Sequence, residues 1–247
     1  MTPRSSSPAE PRVRARGLGR TFGARVALRD VDLDLHAGEV LGVVGPNGGG
    51  KSTLLMLMAG LLRPTAGSVT VCGLPAHRLA VQRRGQVGLV TAEPGLYPLL
   101  TGWENLGWFA GLLDVPADAA RPLLEELQLI GLMEERVSGW SSGSRQKLSL
   151  VRALLTRPSL LLLDEPTANL DPLAAQVIWQ ALRERADAGL AVALATHDLN
   201  AVAQISDRVA FVQQTVRHVE ALPGPRRAPA PGGLLARYQE TLGEGAP

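Results

Sequence analysis

At 247 residues the chain has room for one large α/β domain, or for a core carrying a subdomain. Apolar residues make up 45% of it, and its net charge of +2 comes with no internal stripe of Lys and Arg, which excludes a nucleic-acid-binding face. A single cysteine, Cys72, excludes a disulfide framework and fits a reducing compartment, and no apolar run approaches the ~20 residues that span a bilayer.

Residues 1–11 are rich in Ser, Pro and charge; they predict a disordered arm and lack the apolar segment of a secretory signal. In the following stretch, 13–35, Val31, Leu33 and Leu35 alternate with Asp30, Asp32, Asp34 and His36, the pattern of a half-buried strand. Phe22 falls in its hairpin region, where an aromatic ring either stacks on an adenine or packs as a core or edge residue. A valine-rich strand at 40–44 then runs into Gly45, Pro46, Asn47, Gly48, Gly49, Gly50, Lys51, Ser52 and Thr53, and on into an apolar helix. Gly45, Gly50, Lys51 and Ser52 match G-x-x-x-x-G-K-[ST], the phosphate-binding loop. In such a loop the backbone N–H groups converge on the β- and γ-phosphates, the lysine adds a cation, and the serine hydroxyl ligates Mg²⁺. That loop alone does not separate a kinase, a GTPase, a motor or a transporter ATPase.

Strands are predicted at 68–73 and 87–91, with a short polar helical connection over 75–84. Thr101 and Glu104 form a capping box that opens a helix, along which Trp103, Leu106, Ala110 and Leu113 share a stripe. The tryptophans, Trp108 included, are read as packing residues. Further helical patterns at 117–127 and 131–136 make the strandless run from about 95 to 157 a helical subdomain inserted into the core. Ser141, Ser142, Gly143 and Ser144 precede a helix predicted over 145–156; they suit either an anion site or a plain serine N-cap. The leucine run 160–163 ends in Asp164 and Glu165. In an open parallel sheet, ligands bind at that end of the strands. Asp164 is placed to hold the Mg²⁺ that Ser52 touches, and Glu165 to orient or deprotonate an attacking water. Pro172 opens a helix at its first position. A buried strand over 191–195 leads to His197 at the same edge, within reach of a γ-phosphate. The last predicted strand is 208–212; a Pro/Gly/Arg loop with solvated Arg226 and Arg227 and a short amphipathic tail over 234–242 complete the chain.

Taken together, these elements resemble the ATP-binding subunits of ABC transporters over about residues 13–220. Phe22 matches the adenine-stacking aromatic, 45–53 Walker A, 140–145 the signature, 160–165 Walker B, 168–171 the D-loop and His197 the switch histidine. The resemblance implies an α/β P-loop core with a mostly parallel sheet, an antiparallel β subdomain and the helical insert. The ATPase domain then occupies 12–220, between the arm and a tail at 221–247. It implies ATP and Mg²⁺ as cofactors, with Lys51, Glu165 and His197 catalytic and Ser52 and Asp164 on the metal. It also implies two subunits packed head to tail, a homodimer, so that Ser141 and Gly143 of one complete the ATP site of the other and Asp171 communicates across the interface. A separate membrane permease chain is the implied partner, which sets the protein on the cytoplasmic face of the membrane. The words Thr101-Gly102-x-Glu104-Asn105-Leu106 and Ser141-Ser142-Gly143 look like those of ABC-2-type exporters. Ala92 stands where the family has its Q-loop glutamine, and Trp140, Ser142 and Ser144 alter the signature, which points to slow turnover. A soluble ABC ATPase of translation, repair or chromosome structure is the competing reading. It usually brings a second ATPase domain, coiled coils, or zinc and basic insertions, and this chain has none of them. A P-loop small-molecule kinase would lack the signature and D-loop words.

Overall fold

The computed structural model describes residues 10–83, 85–168, 170–223 and 233–243; residues 1–9 of the arm predicted over 1–11, together with Asn169, Arg226 and Arg227, lie outside them. Two sheets organise the chain. Strands β1 (Val13–Phe22) and β2 (Arg25–Leu35) form an antiparallel hairpin, and β4 (Ala66–Val71) and β5 (Leu74–Pro75) extend it in the order β2-β1-β4-β5. The second sheet contains β3 (Val40–Val44), β6 (Val87–Val90), β7 (Leu160–Asp164), β8 (Ala191–Ala195), β9 (Arg208–Val212) and β10 (Val216–Ala221). Its order is β10-β9-β3-β8-β7-β6, parallel throughout except for β10, which pairs antiparallel with β9.

The valine, leucine and alanine runs form the central strands because both faces of this sheet are covered. Alternate residues serve opposite sides: Val40, Val44, Leu161, Leu163, Val192 and Leu194 enter one core, and Leu41, Val43, Leu160, Leu162 and Ala193 the other. Helix α1 (Lys51–Met58) and the antiparallel sheet cover the second core. The short α2 (Leu79–Gln82) lies in the predicted connection before β6. Between β6 and β7 the chain makes no further strand but the helices α3 (Gly102–Leu113), α4 (Arg121–Glu126) and α5 (Ser142–Leu154), with one isolated bridge between Thr101 and Arg136. With α6 (Pro172–Asp187), α7 (Leu199–Ile205) and α8 (Gly233–Leu242) they cover the first core.

Four local expectations change. Helix α5 begins at Ser142 rather than 145, because the Ser141 hydroxyl accepts the Ser144 N–H at 3.1 Å and starts the helix at once. Residues 131–136 form only a 3₁₀ turn at Ile130–Leu132. Carbonyls from that stretch go elsewhere: those of Met133 and Glu135 accept the N–H groups of Trp103 and Gly102 at the start of α3. Strand β10 follows the predicted last strand; none of its residues is fully buried, and two polar residues, Arg217 and His218, fall side by side, so no apolar–polar alternation marks it. Trp108 is 47% exposed and packs only edge-on against Tyr97 and Phe109, with centroids 5.1 and 5.0 Å away.

Because the parallel strands run one way, their C-terminal ends share an edge. Gly45, Thr91, Glu165 and Thr196 follow β3, β6, β7 and β8 there.

Candidate active site

The loop after β3 is shaped by residues without side chains. A Cβ on Gly45 would lie 2.0 Å from the Val212 carbonyl oxygen. Gly50 sits at φ 105°, where L side chains are strained, and a Cβ there would meet the Ala27 carbonyl oxygen at 2.6 Å. Gly50 is also the N-cap of α1, with no side-chain cap and no acidic residue in the first turn. The first N–H groups of the helix and its positive end are therefore left to an anion. Lys51 is buried and reaches back across the loop, its Nζ donating to the carbonyls of Gly45 at 2.8 Å and Pro46 at 3.2 Å. Asn47, Gly48, Gly49, Gly50, Lys51, Ser52 and Thr53 line a cavity of about 320 Å³, closed by Phe22, Arg25, Ala27, Asp164 and Glu165. Gly45 and Pro46 support the loop from behind, through the carbonyls that take Lys51.

Asp164 is the last residue of β7, and the Ser52 hydroxyl donates to it. Burial pushes its carboxyl above the usual range and neighbouring Glu165 adds to this, while Ser52 and Lys51 oppose it. Burial likewise lowers the Lys51 ammonium, which Glu165 and Asp164 partly restore. The Ser52–Asp164 pair suits Mg²⁺, which takes one or two hard oxygens from protein and completes its shell with phosphate and water.

Glu165 adopts φ 49°, uncommon for a residue with a side chain, and its N–H bonds the Ala195 carbonyl at 2.9 Å. That conformation directs its carboxylate onto the end of β8. Oε1 accepts from the His197 backbone N–H at 3.1 Å and from Nδ1 at 2.9 Å. Oε2 accepts from the Thr196 hydroxyl at 3.0 Å. Thr196 is 2% exposed and accepts in turn from the Asp198 N–H. The sequence points to Glu165 and His197 but not to Thr196, whose only signal is a hydroxyl between a buried strand and His197. Phe22 is 42% exposed, and the Arg20 guanidinium lies 4.5 Å over its ring.

Besides Gly45 and Pro46, four predicted residues lie away from the cavity wall: His197, which is largely exposed and meets the site through Glu165, and Ser141, Gly143 and Asp171. Ser141 caps α5, and Gly143 lies against Leu170 and Ala174, where a Cβ would find contacts at 3.6–3.7 Å. Asp171 caps α6, its Oδ1 accepting the Ala174 N–H at 2.9 Å. Signature and D-loop segments thus form one neighbourhood, separate from the glycine loop of the same chain. Ala92 sits in the bend after β6 and offers no polar group to the cavity. The surrounding loop is held by α5: Gln146 donates to the Thr91 carbonyl at 3.2 Å and Arg152 to the Gly95 carbonyl at 2.8 Å.

The family described as ABC transporter matches residues 28–168. The chain is 34% identical over 212 residues to the Nod factor export ATP-binding protein I of Burkholderia lata, covering 84% of this chain and 70% of that protein. It is 38% identical over 227 residues to a probable anion import ATP-binding protein of Haloferax volcanii, covering 83% and 78%. Among solved structures it is similar to a dimeric ATP-binding cassette in a post-hydrolysis state bound to ADP and Pi. There the TM-score is 0.77 at 27% identity, over 86% of this chain and 99% of that one.

Proposed function

Since the chain belongs to the ATP-binding subunits of the ABC transporter family, we propose that Lys51, Glu165 and His197 carry out its ATP hydrolysis and that the energy drives export through a separate membrane chain. One observation carries the site assignment. The uncapped start of α1, the buried Lys51 and the carboxylates at the end of β7 all face a single cavity.

In this reading Phe22 stacks on the adenine while Arg20 holds the ring from its other side. The N–H groups of 47–53 and the Lys51 ammonium receive the phosphates. Ser52 and Asp164 would hold Mg²⁺, which when bound neutralises charge on the β- and γ-phosphates. Glu165 takes the proton of the attacking water, and Thr196 and His197 keep its carboxylate aimed. Ser141 and Gly143 serve the site of a second copy, with Asp171 at that interface. Ala92 supplies no amide to sense the γ-phosphate, which is the reason to expect slow turnover.

A membrane partner is supported by the exposed apolar surface beside the loop after β6: Leu99 is 75% exposed, and Tyr97, Trp108 and Leu112 flank it. Among the described residues no helix is long and apolar enough to cross a membrane. Export is favoured by the exporter-like words around Thr101 and Ser141 and by the Nod factor relative; the anion-import relative is the counterweight. The test is phosphate release by the purified protein with its co-purifying membrane chain. Glu165→Gln is expected to slow it at least about 100-fold, the worth of a general base. Equal rates would overturn the assignment, and a count of the partner's spanning helices identifies the class of membrane chain.

A further inference from the structure

Resting on that ATP site, we infer that Arg25 is a second phosphate-binding cation, acting from β2 on the polyphosphate held by the glycine loop. The arginine is the first residue of β2, directly across the hairpin from Phe22. Its side chain crosses to the loop: a Cβ on Gly48 would lie 3.2 Å from Nη2. Gly48 itself is at φ 75°, so the loop backbone turns at the point that Arg25 overlies. Both residues line the same cavity as Lys51 and Ser52.

Three physical arguments favour a ligand role over a structural one. Among the described residues the Arg25 guanidinium has no ion-pair or hydrogen-bond partner; other exposed arginines such as Arg29, Arg63 and Arg217 share that, but Arg25 differs from them in lining the cavity of the glycine loop. A loop built to gather four negative charges is a poor place to leave a cation with no partner. Lys51 sits deep and has two of its three donors on loop carbonyls, so it reaches the phosphates with little to spare, while Arg25 stands at the open rim with its fork of donors free. A planar guanidinium also matches two phosphate oxygens at once, which an ammonium does not.

The proposal predicts how ligands are ranked. Binding of ATP, ADP, AMP and adenosine is measured by calorimetry at several salt concentrations on the full chain carrying Glu165→Gln, so that turnover does not intervene. Adding Arg25→Met is expected to weaken ATP about ten-fold or more, weaken ADP measurably, and leave adenosine unchanged. It also flattens the salt dependence of ATP binding. Arg25→Lys restores part of the affinity, since the charge returns without the fork. Melting temperatures of the variants are expected to match the parent, because the side chain is exposed.

An ATP affinity within two-fold of the parent in Arg25→Met overturns the inference while leaving the site intact. An equal loss for ATP and adenosine also overturns it, and assigns Arg25 to holding the hairpin. A parent protein that binds no ATP at all defeats the underlying reading instead, so the two failures are distinguishable.

Discussion

Asp164 and Lys51 face each other across the glycine loop, and burial acts on them in opposite directions, raising the carboxyl and lowering the ammonium. For Asp164 the sign of the consequence is fixed. A carboxyl whose folded pKa lies above its unfolded value binds more protons when folded, so stability falls as pH rises through that interval. The ionised group therefore costs stability near pH 7 until a cation reaches it. Asp164→Asn removes the charge while keeping the shape. Its melting temperature at pH 7 is expected to exceed the parent's by about 1–3 °C, a small gain because solvent partly reaches the group. The gap closes as pH falls toward about 4, where the parent's carboxyl is protonated too. Addition of Mg²⁺ and ATP should stabilise the parent more than the variant. Differential scanning calorimetry across pH 4–8 checks all of this, and a gap that stays constant with pH would contradict it. Asp164 and Glu165 were legible in the sequence because a leucine run ending in two carboxylates is unusual. Thr196 was not, since threonine is common at strand ends and only the folded chain brings its hydroxyl to Glu165.

Helix α5 does two jobs with its two ends. Its N-terminus presents Ser141 and Gly143, and its body holds the loop that follows β6. Arg152 is the firmer of the two ties. Nη1 donates to the Gly95 carbonyl at 2.8 Å, Nη2 to Ser149 at 3.1 Å, and the guanidinium stacks 4.7 Å from the Phe109 ring on α3. Burial lowers its pKa, and among the described residues no carboxylate pairs with it. Arg152→Met removes the stacking and leaves two acceptors unpaired, against the relief of a desolvated charge. The balance is expected to be a loss of about 1–3 kcal/mol, read by urea unfolding. A neutral result would mean that desolvation cancels the bonds. The sequence showed α5 as a helix but placed its start too late, since a Ser-Ser-Gly run looks like a loop until Ser141 caps it. Likewise 131–136 has helical composition but lends its carbonyls to α3. Such exchanges between elements leave no period in the chain, whereas the central strands, buried on both faces, do.

For the whole molecule the geometry leaves one half of a site facing outward. The cavity wall includes the glycine loop, Phe22, Asp164 and Glu165, but neither Ser141 nor Gly143; Gly143 lies against Leu170 and Ala174 instead. In the head-to-tail pair proposed above, each of these halves would meet the other's cavity, so that bound ATP would join two copies and its hydrolysis would release them. Glu165→Gln is therefore expected to accumulate as a dimer when ATP and Mg²⁺ are added, measured by analytical ultracentrifugation. Gly143 offers a clean way to test the route. A Cβ there would find its nearest contacts at an ordinary 3.6–3.8 Å, so Gly143→Asp is expected to fold and to bind ATP at its own loop. In the partner's cavity the added carboxylate meets phosphate and repels it. The double variant Gly143→Asp, Glu165→Gln should bind ATP with parental affinity yet remain monomeric. A copy carrying Gly143→Asp still has an intact glycine loop, and a copy lacking Lys51 still has an intact signature. Mixing the two in the Glu165→Gln background is therefore expected to yield a dimer with one working interface, weaker than the symmetric one. If the double variant dimerises normally with ATP, the two halves do not meet in the way their positions imply.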